Sequence, residues 1–227
     1  MMNPPAAFVF DAYGTLFDVH SVAALAERLA PGNGAALSRI WRAKQLEYSW
    51  LQSLMISASF QREDFAVVTA HALDYAIAAL VLSLAPSERQ QLLDAYRDLA
   101  AFPDAREVLA ALAPNPRWIL SNGTHAMLEP LVRSTGLDGV LDGVMTVDDA
   151  GIYKPSPRVY QLAVDRLGVP PAQIAFVSSN GWDAAGAKAF GFTTFWINRD
   201  GVPTERHAGA PDYAIGSLSD LIPILAA

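Results

Sequence analysis

The chain contains no cysteine, which excludes a disulfide framework and a thiolate-bound zinc and fits a reducing compartment. It also lacks any run of Lys or Arg, and its formal net charge is −7. Nucleic acid and anionic membrane surfaces are therefore poor partners on electrostatic grounds. An anionic small molecule is not excluded, because a few buried cations can dominate one pocket whatever the total charge. No Lys or Arg precedes the first apolar segment within Met1 to Ala7, so a secretory signal is not expected there. Low-complexity tracts and internal repeats are absent too: the 15 Gly and 15 Pro fall singly between apolar runs, as turn punctuation. One long apolar stretch stands out, Phe65 to Ala85, but it carries His71 and Asp74. A bilayer centre tolerates an acidic side chain poorly, so a buried helix is expected.

What is present is 227 residues, 52% of them hydrophobic, enough for one large core or a core with an inserted lobe. Ala7-Phe8-Val9-Phe10 is a short apolar run ending at Asp11 and a Gly-Thr turn, which reads as a buried strand with polar chemistry at its carboxyl end. The arrangement recurs. Trp118-Ile119-Leu120 leads into Ser121-Asn122-Gly123, and Ile174 to Val177 leads into Ser178-Ser179-Asn180-Gly181. Phe195-Trp196-Ile197 is a fourth strand.

Helical patterns separate these strands: Asp104 to Leu112 after Pro103, Thr124 to Ser134, Asp183 to Phe190 before Gly191, and Ser217 to Leu225. Another starts at Ser156-Pro157 and stops at Gly168, with residues suited to an N-cap, a first helical position and a C-terminal stop. The alternation predicts an α/β protein with an open, Rossmann-like parallel sheet. Ligands of such sheets sit outside the carboxyl ends of the strands, where Asp11–Thr15, Ser121–Asn122 and Ser178–Asp183 all fall.

Between about Asp18 and Ala101 the alternation stops and helices dominate. Val22, Leu25, Ala26 and Leu29 have helical spacing, as do Leu37, Ile40 and Trp41; Phe65–Ala85 is a third helix, and Ser87 is the expected cap of a fourth running to Leu99. Residues 18–100 are therefore read as a helical cap inserted into a core of residues 1–17 plus 101–227. A cap over an open sheet excludes water from the site beneath it.

Asp11, on a sharp turn after a buried strand, has the setting of a carboxylate nucleophile, although an Asp at a strand end also serves as an ordinary cap or turn residue. Lys154 lies before a helix and far from any basic cluster; by itself it reads equally as a solvated surface lysine. Ser121 and Asn122 suit a helix cap, and Asn180, Gly181 and Asp183 suit a turn. Their convergence on one sheet edge, in the order Asp, Ser, Lys, Asp, is the informative feature.

With these four motifs, Asp11–Thr15, Ser121–Asn122, Lys154-Pro155 and Ser178–Asp183, the chain resembles the haloacid dehalogenase superfamily over nearly its whole length, cap included. Most members are magnesium-dependent phosphotransferases with a second Asp two residues after the nucleophile and an acidic pair or Gly-Asp in the fourth motif. Here Tyr13 stands at the first place, and a phenol with a pKa near ~10 is a poor acid for a leaving alkoxide. The fourth motif, Ser178-Ser179-Asn180-Gly181-Trp182-Asp183, keeps one carboxylate, a weak site for magnesium. These departures resemble the L-2-haloacid dehalogenase branch, in which a halide leaves without a proton and no metal or other cofactor is used.

That resemblance implies hydrolysis of short (S)-2-halo acids to (R)-2-hydroxy acids and halide, through an ester on Asp11. Arg42, on a cap helix one turn before Leu46, would cradle the halide with Asn122 and Trp182; a solvated arginine is the plain alternative. The substrate carboxylate would sit near Ser121, Asn122 and the amides of Ala12 and Tyr13. Lys154 would keep Asp11 ionised, Thr15, Ser178 and Tyr160 would orient Asp11 or Lys154, and Asp183 with Asn180 and Lys154 would activate water. Tyr13, Leu46, Phe60 and Trp182 would wall the pocket, with Phe60 equally readable as cap core. A cytoplasmic homodimer joined through apolar cap helices is the further implication. Two other functions stay open from the residues: a magnesium-dependent phosphatase, and a catalytically silent binding protein using the Phe65–Ala85 helix as its face.

Overall fold

The structure, a computed structural model, describes residues 4–206 and 209–226. The beginning of the stretch read for a signal, Met1–Asn3, lies outside the described residues. Six strands, β1 (Ala7–Phe10), β2 (Arg117–Ser121), β3 (Gly143–Thr146), β4 (Ile174–Ser178), β5 (Thr193–Ile197) and β6 (Tyr213–Ile215), form one parallel sheet in the order β3-β2-β1-β4-β5-β6. Val9 and Phe10 point to opposite faces of β1, and both are fully buried, so the sheet is covered on each side. The chain winds outward from β1 through β2 to β3, then returns to β4 and winds the other way. The switch in direction lies between β1 and β4, and a crevice opens at their carboxyl ends, where Asp11 and Ser178 stand.

The chain leaves this sheet at Phe17 and comes back at Ala101. The two residues form an antiparallel bridge, and Asp18 N–H donates to the Ala100 carbonyl at 2.8 Å. Between them lie four helices and no strand among the described residues: α1 (His20–Leu29), α2 (Gly34–Met55), α3 (Phe65–Ala79) and α4 (Pro86–Ala95). α1 buries Val22 and Ala26, and α2 buries Leu37, Trp41, Gln45 and Ser49, a stripe with a step of one helical turn. The Asp64 carboxylate caps α3 by accepting from Val67 N–H at 2.9 Å.

Two expectations for this segment need correction. The helix expected over Phe65–Ala85 stops at Ala79. Val81 N–H returns to the Ala78 carbonyl and Leu82 N–H to the Ile77 carbonyl, with Val81 left-handed at φ 52°. This is the usual glycine-type helix stop made by a valine, so the sequence carried no sign of it. Ser87 does not cap α4. Ala85 occupies the N-cap, its N–H bound by the Glu88 carboxylate at 2.7 Å, with Pro86 in the first turn, and the helix ends at Ala95, short of Leu99.

The remaining helices connect the strands: α5 (Ala105–Ala111), α6 (His125–Ser134), α7 (Pro157–Leu167), α8 (Gly181–Phe190) and α9 (Leu221–Leu225). Thr124 Oγ1 caps α6 at Met127 N–H (3.2 Å), and α7 begins at Pro157 and stops at the left-handed Gly168, φ 66°. Strands β3 and β6 were not foreseen: one opens on a glycine and the other is three residues long, at opposite edges of the sheet. Among the described residues no helix is long and apolar enough to cross a membrane.

Candidate active site

After β1 the chain turns sharply. The Ala12 carbonyl accepts from Thr15, Leu16 and Phe17 N–H at 3.2, 2.9 and 3.1 Å, and Gly14 takes φ 82°. That turn leaves the Asp11 side chain at the strand end, buried and held by three donors. Lys154 Nζ lies 3.2 Å from Oδ1, while Thr15 Oγ1 and Asn180 Nδ2 reach Oδ2 at 3.2 and 2.9 Å. Thr15 is itself fixed by the Ser179 N–H at 2.9 Å.

Lys154 Nζ is also 2.8 Å from Asp183 Oδ2. Asp183, on the first turn of α8, is fully buried and takes hydroxyl hydrogen bonds from Ser178 (3.1 Å to Oδ2) and Tyr160 (2.8 Å to Oδ1). Burial pushes the Asp183 carboxyl up to about 6; the Lys154 ammonium opposes that rise and the neighbouring Asp11 reinforces it. Tyr160 is raised well above the ordinary phenol by burial and by the Asp183 charge, so it stays a proton donor. Ser178 and Tyr160 were expected to orient Asp11 or Lys154. Both instead hold Asp183, because β4 and α7 bring their hydroxyls to the α8 side of the cluster; only Thr15 touches Asp11 as expected.

At the end of β2, Ser121 Oγ accepts from Gly123 N–H at 3.1 Å, which leaves its own proton for a ligand. Asn122 Oδ1 accepts from Lys154 N–H at 3.0 Å, so its Nδ2 is the group it can offer. Tyr13 packs edge-on to Tyr96 with ring centroids 5.8 Å apart, and burial first of all raises its phenol above the ordinary value. Its hydroxyl has no partner among the described residues. A Cβ on Gly123 would stand 3.0 Å from the Tyr13 ring, a tight contact to which the ring would have to yield.

Helix α2 supplies the other wall. Arg42 Nη2 donates to Asn180 Oδ1 at 3.1 Å and Nη1 to Gln45 Oε1 at 2.6 Å. Asn180 thus joins Arg42 to Asp11 through one side chain. Trp182, on α8, meets Trp50 of α2 edge-on at 5.5 Å, and both indole N–H groups are buried without an acceptor among the described residues. Leu46 is half-buried one turn past Arg42. Phe60 lies in the loop between α2 and α3, where its carbonyl accepts from Ser57 N–H. A cavity of about 260 Å³ reaches Tyr13, Arg42 and Asn180, beside the nucleophile instead of over it.

The residues present do not fit the magnesium ion of most superfamily members. The place between the two carboxylates, where a cation would be shared, is filled by the Lys154 ammonium, and Tyr13 supplies no second acidic oxygen beside Asp11. Among the described residues no group of three or more His, Asp or Glu is placed to hold a metal.

Sequence reasoning missed Gln45, Thr69, Trp50 and Ser179. Gln45 had a signal, since a glutamine in the stripe Leu37, Trp41, Gln45, Ser49 sits where an apolar residue would be expected. Ser179 had none, because its backbone N–H does the work.

Four resemblances bear on the chain. The family model for haloacid dehalogenase-like hydrolases matches residues 5–191. The chain is 45% identical over 228 residues to (S)-2-haloacid dehalogenase 4A of Burkholderia cepacia, covering 100% of this chain and 97% of that protein. Among solved structures, L-2-haloacid dehalogenase RSc1362 superposes with a TM-score of 0.94 at 48% identity, covering 99% of this chain and 100% of that one. The L-2-haloacid dehalogenase from Xanthobacter autotrophicus with chloropropionic acid covalently bound gives a TM-score of 0.87 at 40% identity, covering 100% and 99%.

Proposed function

Because the chain belongs to the haloacid dehalogenase-like hydrolases, we propose that it is an (S)-2-haloacid dehalogenase, converting short L-2-halo acids to (R)-2-hydroxy acids and halide without a metal. One observation carries the reading. The Asp11 carboxylate is buried and braced by Lys154, Thr15 and Asn180, while the position of a phosphatase's general acid is taken by Tyr13, whose phenol burial holds well above neutrality. For the first step such a site has a nucleophile and no acid beside it for a leaving alkoxide. A halide needs none.

In the first half of the reaction, the substrate carboxylate lies against Ser121 Oγ, Asn122 Nδ2 and the Ala12 and Tyr13 amides. An Asp11 oxygen forms a bond to C2 as the carbon–halogen bond breaks on the opposite side, and the halide leaves with the electron pair toward Arg42, Asn122 and Trp182. Lys154 keeps Asp11 ionised. Leu46, Phe60 and Trp182 wall the substrate. In the second half, Asp183 takes a proton from water, whose oxygen attacks the Asp11 ester carbonyl and not C2. The bond from that carbonyl carbon to the substrate oxygen breaks, the departing alkoxide takes the proton back from Asp183, and Asp11 is regenerated with the inverted configuration at C2 kept in the product. Asn180, Thr15, Ser178 and Tyr160 hold the two carboxylates in register.

Residues 18–100 act as a cap over a core of residues 1–17 plus 101–227, supported by the adjacent departure and return points at Phe17 and Ala101. The protein works as a homodimer in the cytoplasm. For the dimer, the support is that Leu51, Leu54, Met55, Val67 and Tyr75 along α2 and α3, and Val81 in the turn after α3, are large, apolar and exposed. For the compartment, it is the absence of cysteine. The net charge of −7 argues against nucleic acid as a partner.

The test is halide release from L- and D-2-chloropropionate, each with EDTA and with added magnesium. Chloride from the L-form alone, indifferent to EDTA and abolished in Asp11→Asn, is the expected result. No chloride under any condition would overturn the proposal.

A further inference from the structure

Gln45 and Thr69 are buried polar side chains in the contact between α2 and α3, outside the set of groups that touch Asp11. Thr69 Oγ1 donates its single proton to the Phe65 carbonyl at 2.6 Å, one turn back along α3. Toward Gln45 it can then only accept, and Gln45 Nε2 lies 2.7 Å away. This fixes the glutamine amide: Nε2 to α3, Oε1 to Arg42, whose Nη1 donates to it at 2.6 Å. A flipped amide would set the Gln45 amide donors against the Arg42 guanidinium and its oxygen against Thr69 Oγ1, around a fully buried side chain. The direction of every bond in the chain from the Phe65 carbonyl to the Arg42 guanidinium is thereby determined.

The consequence falls on Arg42. One of its terminal nitrogens is held by Gln45 and the other by Asn180, so the guanidinium plane is set by a buried strut on one side and by the nucleophile's own partner on the other. We propose that Gln45 and Thr69 are positioning residues for the reaction: the Thr69 hydroxyl orients the Gln45 amide, and the amide aims the Arg42 guanidinium at the departing halide. Part of the leaving-group recognition is thus built into the packing of α2 on α3. The inference rests on the dehalogenase reading, in which Arg42 receives the halide.

Its test uses the full-length protein with Thr69→Val, Thr69→Ser and Gln45→Leu. Bromide titration, followed by tryptophan emission, should be about tenfold weaker in Thr69→Val and Gln45→Leu and at the wild-type level in Thr69→Ser. With 2-chloro- and 2-bromopropionate, the two damaging variants should lose more turnover on the chloride, the poorer leaving group, than on the bromide. Combined with Arg42→Ala, they should cost nothing further. A loss of thermal stability with an unchanged bromide affinity and an unchanged chloride-to-bromide turnover ratio would overturn the proposal, as would effects that add to those of Arg42→Ala. Halide binding that obeys this pattern in a protein with no dehalogenase turnover would leave the strut standing and sink the reading it rests on. Absence of both would sink both.

Discussion

Asp11 and Asp183 are both buried and share one ammonium: Lys154 Nζ lies 3.2 Å from the first and 2.8 Å from the second. One cation cannot fully offset two desolvated carboxylates, and the site releases the excess by raising Asp183 to about 6. Two pH dependences of opposite sign follow. In the proposed mechanism Asp183 takes a proton from water in its ionised form, so turnover should rise as pH increases through about 6 and level off above it. Stability runs the other way. The folded-state value lies above the ordinary 3.8, so the folded chain holds the extra proton between those values. The contribution is complete below 3.8 and is lost as pH rises through about 6. A kcat profile and urea melts of wild type and Asp183→Asn from pH 4 to 8 check both; a wild-type profile flat down to pH 4.5 would sink the assignment.

If Asp183 serves only the hydrolytic half, Asp183→Asn should still form the ester. Mixing that variant with excess L-2-chloropropionate should release one chloride per site and then stop, and the intact protein should gain the mass of a propionate ester. Asparagine keeps the side chain's shape while removing the base. A variant with neither burst nor mass gain would place Asp183 in the first half as well, as a support for Lys154.

How far this site could be read from sequence depended on what each residue's partner was. Asp11, Ser121 and Ser178 follow apolar runs directly, and a parallel sheet carries the ends of such runs to one edge, so Asp11, Lys154 and Asp183 were legible as a group. The partners of Ser178 and Tyr160 were not. Whether a hydroxyl reaches Asp11 or Asp183 depends on how α7 lies against α8, which local spacing does not encode. Gln45 carried a sign, a glutamine within a buried stripe, but its partner Thr69 was not legible, because only the α2–α3 packing brings the two together. The end of α3 was missed because Val81 adopts a left-handed conformation that a valine rarely takes.

The exposed apolar residues of α2, of α3 and of the turn that follows α3 give a third prediction. Leu54 is 83% exposed and Val81 91%, more than a chain working alone gains from. Leu54→Glu combined with Val81→Glu should convert a dimer to a monomer, measured by light scattering or sedimentation velocity, with little change in the monomer's own fold, because neither side chain is buried in it. A wild-type protein that sediments as a monomer at micromolar concentration would refute the homodimer directly.

Tyr160→Phe removes the hydroxyl that donates to Asp183 Oδ1 at 2.8 Å. A lost hydrogen bond to a buried charge costs on the order of 1.5–3 kcal/mol. Because that bond favours the ionised carboxyl, the acid limb of the kcat profile should move to higher pH, a displacement that a plain packing defect would not produce. Unfolding and pH profiles of the variant, measured side by side, separate the two.

Gly186 reaches the same hydroxyl from behind. A Cβ at that position would stand 2.6 Å from the Tyr160 hydroxyl and 2.6 Å from Pro155 Cβ, closer than any real contact allows. Both neighbours belong to the site's frame: Tyr160 holds Asp183, and Pro155 follows Lys154 in the chain. Neither can retreat without moving a group that matters. Gly186→Ala, a substitution that ordinarily favours a helix by about 1 kcal/mol, should therefore be destabilising by about 1–3 kcal/mol, and it should cost turnover more than tenfold though residue 186 touches no reacting atom. Tyr160→Phe removes the oxygen that the new methyl strikes, so Gly186→Ala should cost less stability when added to Tyr160→Phe than when added to wild type. If it costs as much in both backgrounds, the clash is with Pro155, and the Lys154 side of the site carries the damage.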